Sequence, residues 1–227
     1  MSVSGVHSIE AGESGSLDSY CRLSAALGLR AELEFVDVKK LRPKGRDVVH
    51  AAMGELEVAR LAGFGFATGV DEPYQHFQFA GRADVVAWSI ESRAFLHIEN
   101  RTMFPDIQEI AGSWNAKRVY LPAELGQRLG VRRWSSITNV MVGAWSAELM
   151  DEVRRHLGTF RSLCPHAADG FNSWWRGEPP SAGTTSQFVV LDPVPRRGSI
   201  LVAALDEALT SPPRYSRYAE IARKLGQ

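Results

Sequence analysis

Cysteine is nearly absent from this sequence. Only Cys21 and Cys164 occur in 227 residues, and neither belongs to a C-x-x-C pair. A disulfide framework and a cysteine-based zinc site are therefore excluded, and both thiols are expected reduced and packed. Long apolar runs are missing as well. No stretch approaches the ~20 residues needed to span a bilayer, and no basic start followed by an apolar segment opens the chain, so a cytoplasmic protein without a membrane partner is expected. Charge of one sign is not in excess either: 26 Lys and Arg stand against 26 Asp and Glu. Any site for a polyanion has to be local. No internal repeat is visible. Gly63, Gly65 and Gly69 follow a helical pattern rather than a strand, which argues against a dinucleotide-binding loop.

What is present is an ordinary globular composition, 44% apolar and 23% charged, enough for one sizeable core. Its most informative stretch is Gly81 to Arg101. Two β-rich runs flank Ser89-Ile90-Glu91-Ser92 and predict a hairpin whose turn near Glu91 sets Asp84 opposite, or nearly opposite, Glu99. Both acids sit in apolar surroundings, and like charges so close need a cation between them. A hard divalent ion such as Mg²⁺ held by Asp84 and Glu99 is one solution. Pairing with Arg82, Arg93 or Arg101 is the other, and the residues alone leave both open. Arg101, two positions beyond Glu99, shares its face of the strand.

Asp47 to Ala62 predicts a helix. Val48, Ala51, Ala52, Val58, Ala59 and Ala62 cluster around Glu55 on a helical wheel, whereas Glu57 falls with His50, Gly54 and Arg60 and is expected to face solvent. An acid centred on an apolar stripe is either a site residue or a side chain snorkelling at the edge of the stripe. Further helices are expected over 105–120, 147–156, 160–175 and 199–210, and strands over 66–70, 137–145 and 187–191. Lys39, Lys40, Arg42, Lys44 and Arg46 form the one dense basic run; a Pro and a Gly mark it as a linker that either tracks a phosphate backbone or is simply solvated. Lys117 and Arg118, late in the 105–120 helix, are further candidates for phosphate, or for complementing the helix dipole.

The Asp84, Glu99 and Arg101 set, with the order helix, strands, hairpin, helix, resembles the PD-(D/E)xK or restriction-endonuclease-like nuclease superfamily. The resemblance implies an α/β fold with a mixed sheet flanked by helices and Mg²⁺ held by Asp84 and Glu99. It implies also an extra acid from the preceding helix at Glu55 and a Gln after the motif at Gln108. The family's Lys is replaced by Arg101, which stays charged and cannot act as a base. Residues 4–28 resemble the second half of a Cro/repressor-type (XRE-family) helix-turn-helix: a recognition helix, an exit turn, and a closing helix whose Leu17, Tyr20, Leu23, Ser24 and Leu27 share one face and which Gly28 ends. A start placed too late, a degenerate remnant and chance similarity all account for the missing first half.

The expected organisation is a helical remnant (1–36), a basic linker (37–46), a restriction-endonuclease-like domain (47–195) and a C-terminal helix with a basic tail (196–227). The expected function is that of a DNA-binding regulator with weak or absent Mg²⁺-dependent phosphodiesterase activity. An active endonuclease is the alternative, and a small-molecule sensor or enzyme with an aromatic pocket drawn from Trp88, Trp114 and Trp134 is a third. DNA is the expected partner, and a homodimer is left open.

Overall fold

The computed structural model describes residues 3–10, 15–29, 47–76, 79–194 and 201–226. The chain divides into two compact units, Met1–Gly45 and Arg46–Gln227. In the first, α1 (Val3–Glu10) precedes α2 (Leu17–Ala26). Ser16 caps α2 by accepting the Ser19 N–H. At its other end Gly28 takes a left-handed φ of 67°, with Gly28 N bonded to Ala25 O and Leu29 N to Ser24 O, a complete Schellman stop. The face expected to be buried is largely uncovered: Leu17, Tyr20 and Leu27 are exposed. Two short helices have too little apolar surface to cover one another.

The second unit is a three-layer α/β/α sandwich. In order it comprises α3 (Val48–Gly63), β1 (Ala67–His76), β2 (Phe79–Ser89), β3 (Ala94–Arg101), α4 (Ile107–Leu129), β4 (Ser136–Ala144), α5 (Ala147–Arg155), α6 (Leu157–Leu163), α7 (Asp169–Trp175), β5 (Gly183–Leu191), β6 (Val202–Ala204), α8 (Leu205–Thr210) and α9 (Tyr218–Leu225). The sheet runs β1-β2-β3-β4-β5-β6, with β3, β4 and β5 parallel and the other neighbours antiparallel. The expected α/β fold with a mixed sheet between helices is what forms. β3, β4 and β5 are almost wholly buried, as strands covered on both faces must be.

One face of the sheet packs on α3, α7 and α9 through Met53, Leu61, Ile98, Val142, Trp174 and Ile221. On the other, α4 covers β2 and β3 through Leu121, Leu125 and Phe95, while α5, α6 and α8 cover β4 and β5 around Phe160 and Phe188. The region expected as a separate C-terminal tail belongs to this core: β6 extends the sheet along β5, and α9 places Ile221 against α3. No helix of the described residues is long and apolar enough to cross a membrane.

Three of the expected helices differ, and β1 and β5 extend beyond the strands expected over 66–70 and 187–191. The 160–175 helix is two helices, α6 and α7, because Pro165 disfavours helical geometry at Cys164, which adopts φ −129° and ψ 69°. The 105–120 helix continues through Pro122 to Leu129 and ends at Gly130 with φ 70°. Leu121 and Leu125, on either side of the proline, are both buried, and that packing outweighs one missing backbone bond. The 199–210 helix is β6 followed by α8, since pairing with Val189–Leu191 captures residues 202–204 as a strand.

Candidate functional site

β2 and β3 form the expected hairpin, and its register decides where the acids lie. Val85 pairs with Ile98 and Ser89 with Ala94, which sets Asp84 one step beyond the last pair and level with Glu99. The strands part there. On the other side of β2 the ladder also skips a step, from Val70–Val85 to Glu72–Ala83, because Asp71 takes φ 50°. Freed from regular pairing, the Asp84 carboxylate turns toward β3, and its Oδ2 accepts the Asn100 N–H at 2.7 Å in place of a strand carbonyl.

Glu99 is fully buried among nitrogen donors. Lys117 Nζ lies 2.7 Å from each of its oxygens, Arg101 Nη2 is 3.1 Å from Oε2, and His97 Nε2 is 3.0 Å from Oε1. Burial pushes the Glu99 carboxyl up. The His97 hydrogen bond and the charges of His97, Lys117 and Arg101 outweigh it and hold the group down at about 2. His97 in turn faces Asn139 Oδ1 at 3.2 Å, an oxygen identified by the bond of Asn139 Nδ2 to Thr185 O. The ring stacks on Trp114, centroids 5.3 Å apart. Arg101 joins the two acids, because its Nη1 is also 3.6 Å from Asp84 Oδ2.

Asp84 and Glu99 are thus brought together by one guanidinium. A hard divalent ion suits this donor set poorly: at Glu99 it would have to displace an ammonium and a guanidinium already in contact with the oxygens. Among the described residues no group of three or more His, Cys, Asp or Glu side chains is placed to share one metal ion. The hairpin acids are neutralised by protein cations.

The helix before the sheet contributes differently from expectation. Glu57, expected on the solvent face of α3, is completely buried, and Glu55, expected to enter the site, is exposed at the mouth of a cavity. The buried stripe is Val49, Met53, Glu57 and Leu61, spaced by four. The alanine-rich side that suggested Glu55 is less hydrophobic per residue, so the larger side chains set the rotation of the helix. Asn100 Nδ2 donates to Glu57 Oε2 at 2.8 Å. Burial, assisted by the charge of Asp84 and opposed by this bond, raises the Glu57 carboxyl to about 8. Glu57 Oε1 and Asn100 Oδ1 have no partner among the described residues.

His50, in the first turn of α3, sits 3.2 Å from Asp84 Oδ2. That hydrogen bond raises its pKa against the opposing effect of burial. Asp47 caps α3 through Val49 N and His50 N and is held by Thr102 Oγ1 and Tyr218 Oη. Burial raises the Asp47 carboxyl, but these bonds together leave it lowered. Burial and the bond to Asp47 push the Tyr218 hydroxyl up to about 12.

Other expected residues lie elsewhere. Lys117 is no surface phosphate ligand but the buried counter-ion of Glu99, and its place between Trp114 and Leu121 on one helical stripe was the signal for it. Arg118 is turned inward to Leu163 O and Ser186 Oγ, with Trp114 beneath it. Gln108 is exposed in the first turn of α4, where its backbone N–H meets the capping Asp106. Lys39, Lys40, Arg42, Lys44 and Arg46 lie outside the described residues. The three tryptophans are divided between two core clusters: Trp114 is buried in one, and Trp134, with Trp88 packed against its cluster, is buried in the other and donates to Pro122 O. His50, His97 and Asn100 were not expected in the site. For His97 the period-2 step from Glu99 was legible; His50 and Asn100 depend on how α3 docks.

Comparison with family models, with curated proteins and with solved structures finds no match.

Proposed function

We propose that this chain is a DNA-associated regulatory protein whose α/β domain has a restriction-endonuclease-like core with weak or absent phosphodiester-cleaving activity. The observation that carries the reading is the state of the two hairpin acids. Asp84 and Glu99 meet where β2 and β3 part, as paired acids in a nuclease core would, yet Lys117, Arg101 and His97 occupy the oxygens of Glu99. Arg101 stands where the resemblance expects Lys and cannot serve as a base. Support for DNA comes from the half helix-turn-helix resemblance and from the basic run at 39–46, whose five cations suit a phosphate backbone.

The test joins binding with cleavage. Fluorescence anisotropy on a duplex oligonucleotide should show affinity that falls steeply with salt. Supercoiled plasmid in Mg²⁺ or Mn²⁺ should stay intact with the wild type, and Arg101→Lys is the variant in which cleavage would reappear. Metal-dependent nicking by the wild type that Asp84→Ala abolishes would establish the endonuclease alternative. Absence of salt-dependent duplex binding would remove DNA from the reading altogether.

A further inference from the structure

The parallel strands β3, β4 and β5 start at one end of the sheet, where Ala94, Ser136 and Gly183 stand level in neighbouring strands. The segments that lead into them are tied to one another through the backbone. Arg93 O accepts Ser135 N at 2.7 Å and Ser136 N at 3.3 Å, and Ser135 O accepts Gly183 N at 3.1 Å. Trp134, buried beside α4, donates to Pro122 O and fixes the second segment from within.

The turn 90–93 and the loop 130–135 together carry Arg93, Arg132 and Arg133 against one acid, Glu91, in a chain whose charges balance overall. All three arginines are exposed, and among the described residues none makes an ion pair or a side-chain hydrogen bond. Arg128, Arg154, Arg155 and Arg161, by contrast, are engaged by Glu72, Asp151, Glu152 and Asp206. The segment before β5 adds Arg176 and Glu178, which offset each other, so the positive surface belongs to the starts of β3 and β4. Arg93 is informative in a second way. It holds a left-handed φ of 49°, which a side chain disfavours, yet the fold uses only its carbonyl there. A guanidinium kept at a strained position with no contact inside the fold points outward to a partner.

We propose that this end of the sheet docks the phosphate backbone of duplex DNA, with Arg93, Arg132 and Arg133 each on a phosphate. The guanidinium fork matches phosphate geometry. Two residues, at most about 7 Å of chain, separate Arg133 from Ser135, which is bonded to Arg93. A cluster that compact meets several charges of a duplex, which carries one per about 1.7 Å of its axis. The inference rests on the DNA reading above and deepens it. Glu99 lies five residues along β3 from Ala94, about 17 Å, so a duplex held here docks at the other end of the strand from the paired acids. That placement accords with binding in the absence of cleavage.

Fluorescence anisotropy on the full chain tests it, with a labelled duplex at several salt concentrations. The wild type is expected to bind with a steep salt dependence. Arg93→Gln, Arg132→Gln and Arg133→Gln combined should weaken binding roughly tenfold and lower the slope of log K against log salt by about 3, one for each phosphate released. Those side chains have no partner in the fold, so the thermal midpoint of the triple variant should stay close to that of the wild type. Replacement of the same three residues by Lys should keep the slope. Arg154→Gln with Arg155→Gln, which removes two cations already paired on α5, should leave affinity and slope as they are. A wild type without salt-dependent duplex binding would overturn this proposal together with the DNA reading. Wild-type binding that the triple Gln variant retains, or that the α5 variant loses equally, would overturn the proposal and leave the DNA reading standing. Displacement by polyglutamate as effective as by unlabelled duplex at equal charge would give the surface to an acidic protein and overturn the proposal as well.

Discussion

Glu99 shows why a buried acid on an apolar strand is not by itself a metal ligand. Its charge is fully compensated within the protein by Lys117, Arg101 and His97, and removing one partner exposes the cost of burying the rest. Lys117→Met leaves Arg101 and His97 on Glu99 and is therefore expected to destabilise the fold by about 1.5–3 kcal/mol, the scale of lost hydrogen bonds to a buried charge, short of the cost of leaving that charge wholly unpaired. Lys117→Met combined with Glu99→Gln should recover part of that loss, because the under-compensated buried charge is then gone. Urea unfolding of the two single variants and the double variant measures the coupling. Additive losses would mean that the pair contributes no more than its separate packing.

At the scale of elements, the β2–β3 hairpin sets the geometry of the acids, and its turn carries identifiable strain. Arg93 closes the turn with φ 49°, in the left-handed region that a side chain disfavours by about 1–2 kcal/mol. Its carbonyl accepts both Ser135 N and Ser136 N, contacts that belong to the backbone and survive substitution. Arg93→Gly is expected to stabilise the domain by about 0.5–1 kcal/mol, the relief of strain being partly offset by the greater freedom of Gly in the unfolded chain. Thermal unfolding would show a small rise in Tm; a fall would mean that the guanidinium contributes more than the strain it imposes. The same local economy explains α2, where Ser16 and Gly28 fix both helix ends although its apolar residues stay exposed.

For the whole molecule, the two perturbed acids have opposite effects on stability against pH. Glu99, lowered to about 2, contributes stability above its unfolded value of 4.5 that is lost as pH falls below it. Glu57, raised to about 8, keeps its proton in the folded state while the unfolded chain releases it near 4.5, so stability falls as pH rises from there to about 8. His50, raised by Asp84, adds stability below its unfolded value of 6.5 that is lost as pH rises through its folded pKa. Stability should therefore peak at about pH 5 and decline by a few kcal/mol toward pH 8. Glu57→Gln keeps the shape and removes the titration, so its urea midpoints at pH 5 and pH 8 should lie closer together than those of the wild type. An unchanged difference would mean that Glu57 is ionised when folded.

The sequence by itself determined the α/β class, the hairpin over 81–101, the level placement of Asp84 and Glu99 and the Gly28 end of α2, and it holds no apolar run long enough to span a bilayer. Each of these follows from local periodicity or turn chemistry, in which every residue votes independently of distant ones. Tertiary structure alone decided which side of α3 is buried, and so exchanged Glu55 for Glu57. It also decided that α4 docks with Lys117 on the oxygens of Glu99, although the stripe and strand positions of Lys117 and His97 were legible, and that residues 202–204 become a strand by pairing with β5. These depend on what an element meets when it docks. A helical wheel ranks faces by hydrophobicity, whereas docking selects the face whose large side chains fill the space above the sheet, and Val49, Met53 and Leu61 carry Glu57 in with them.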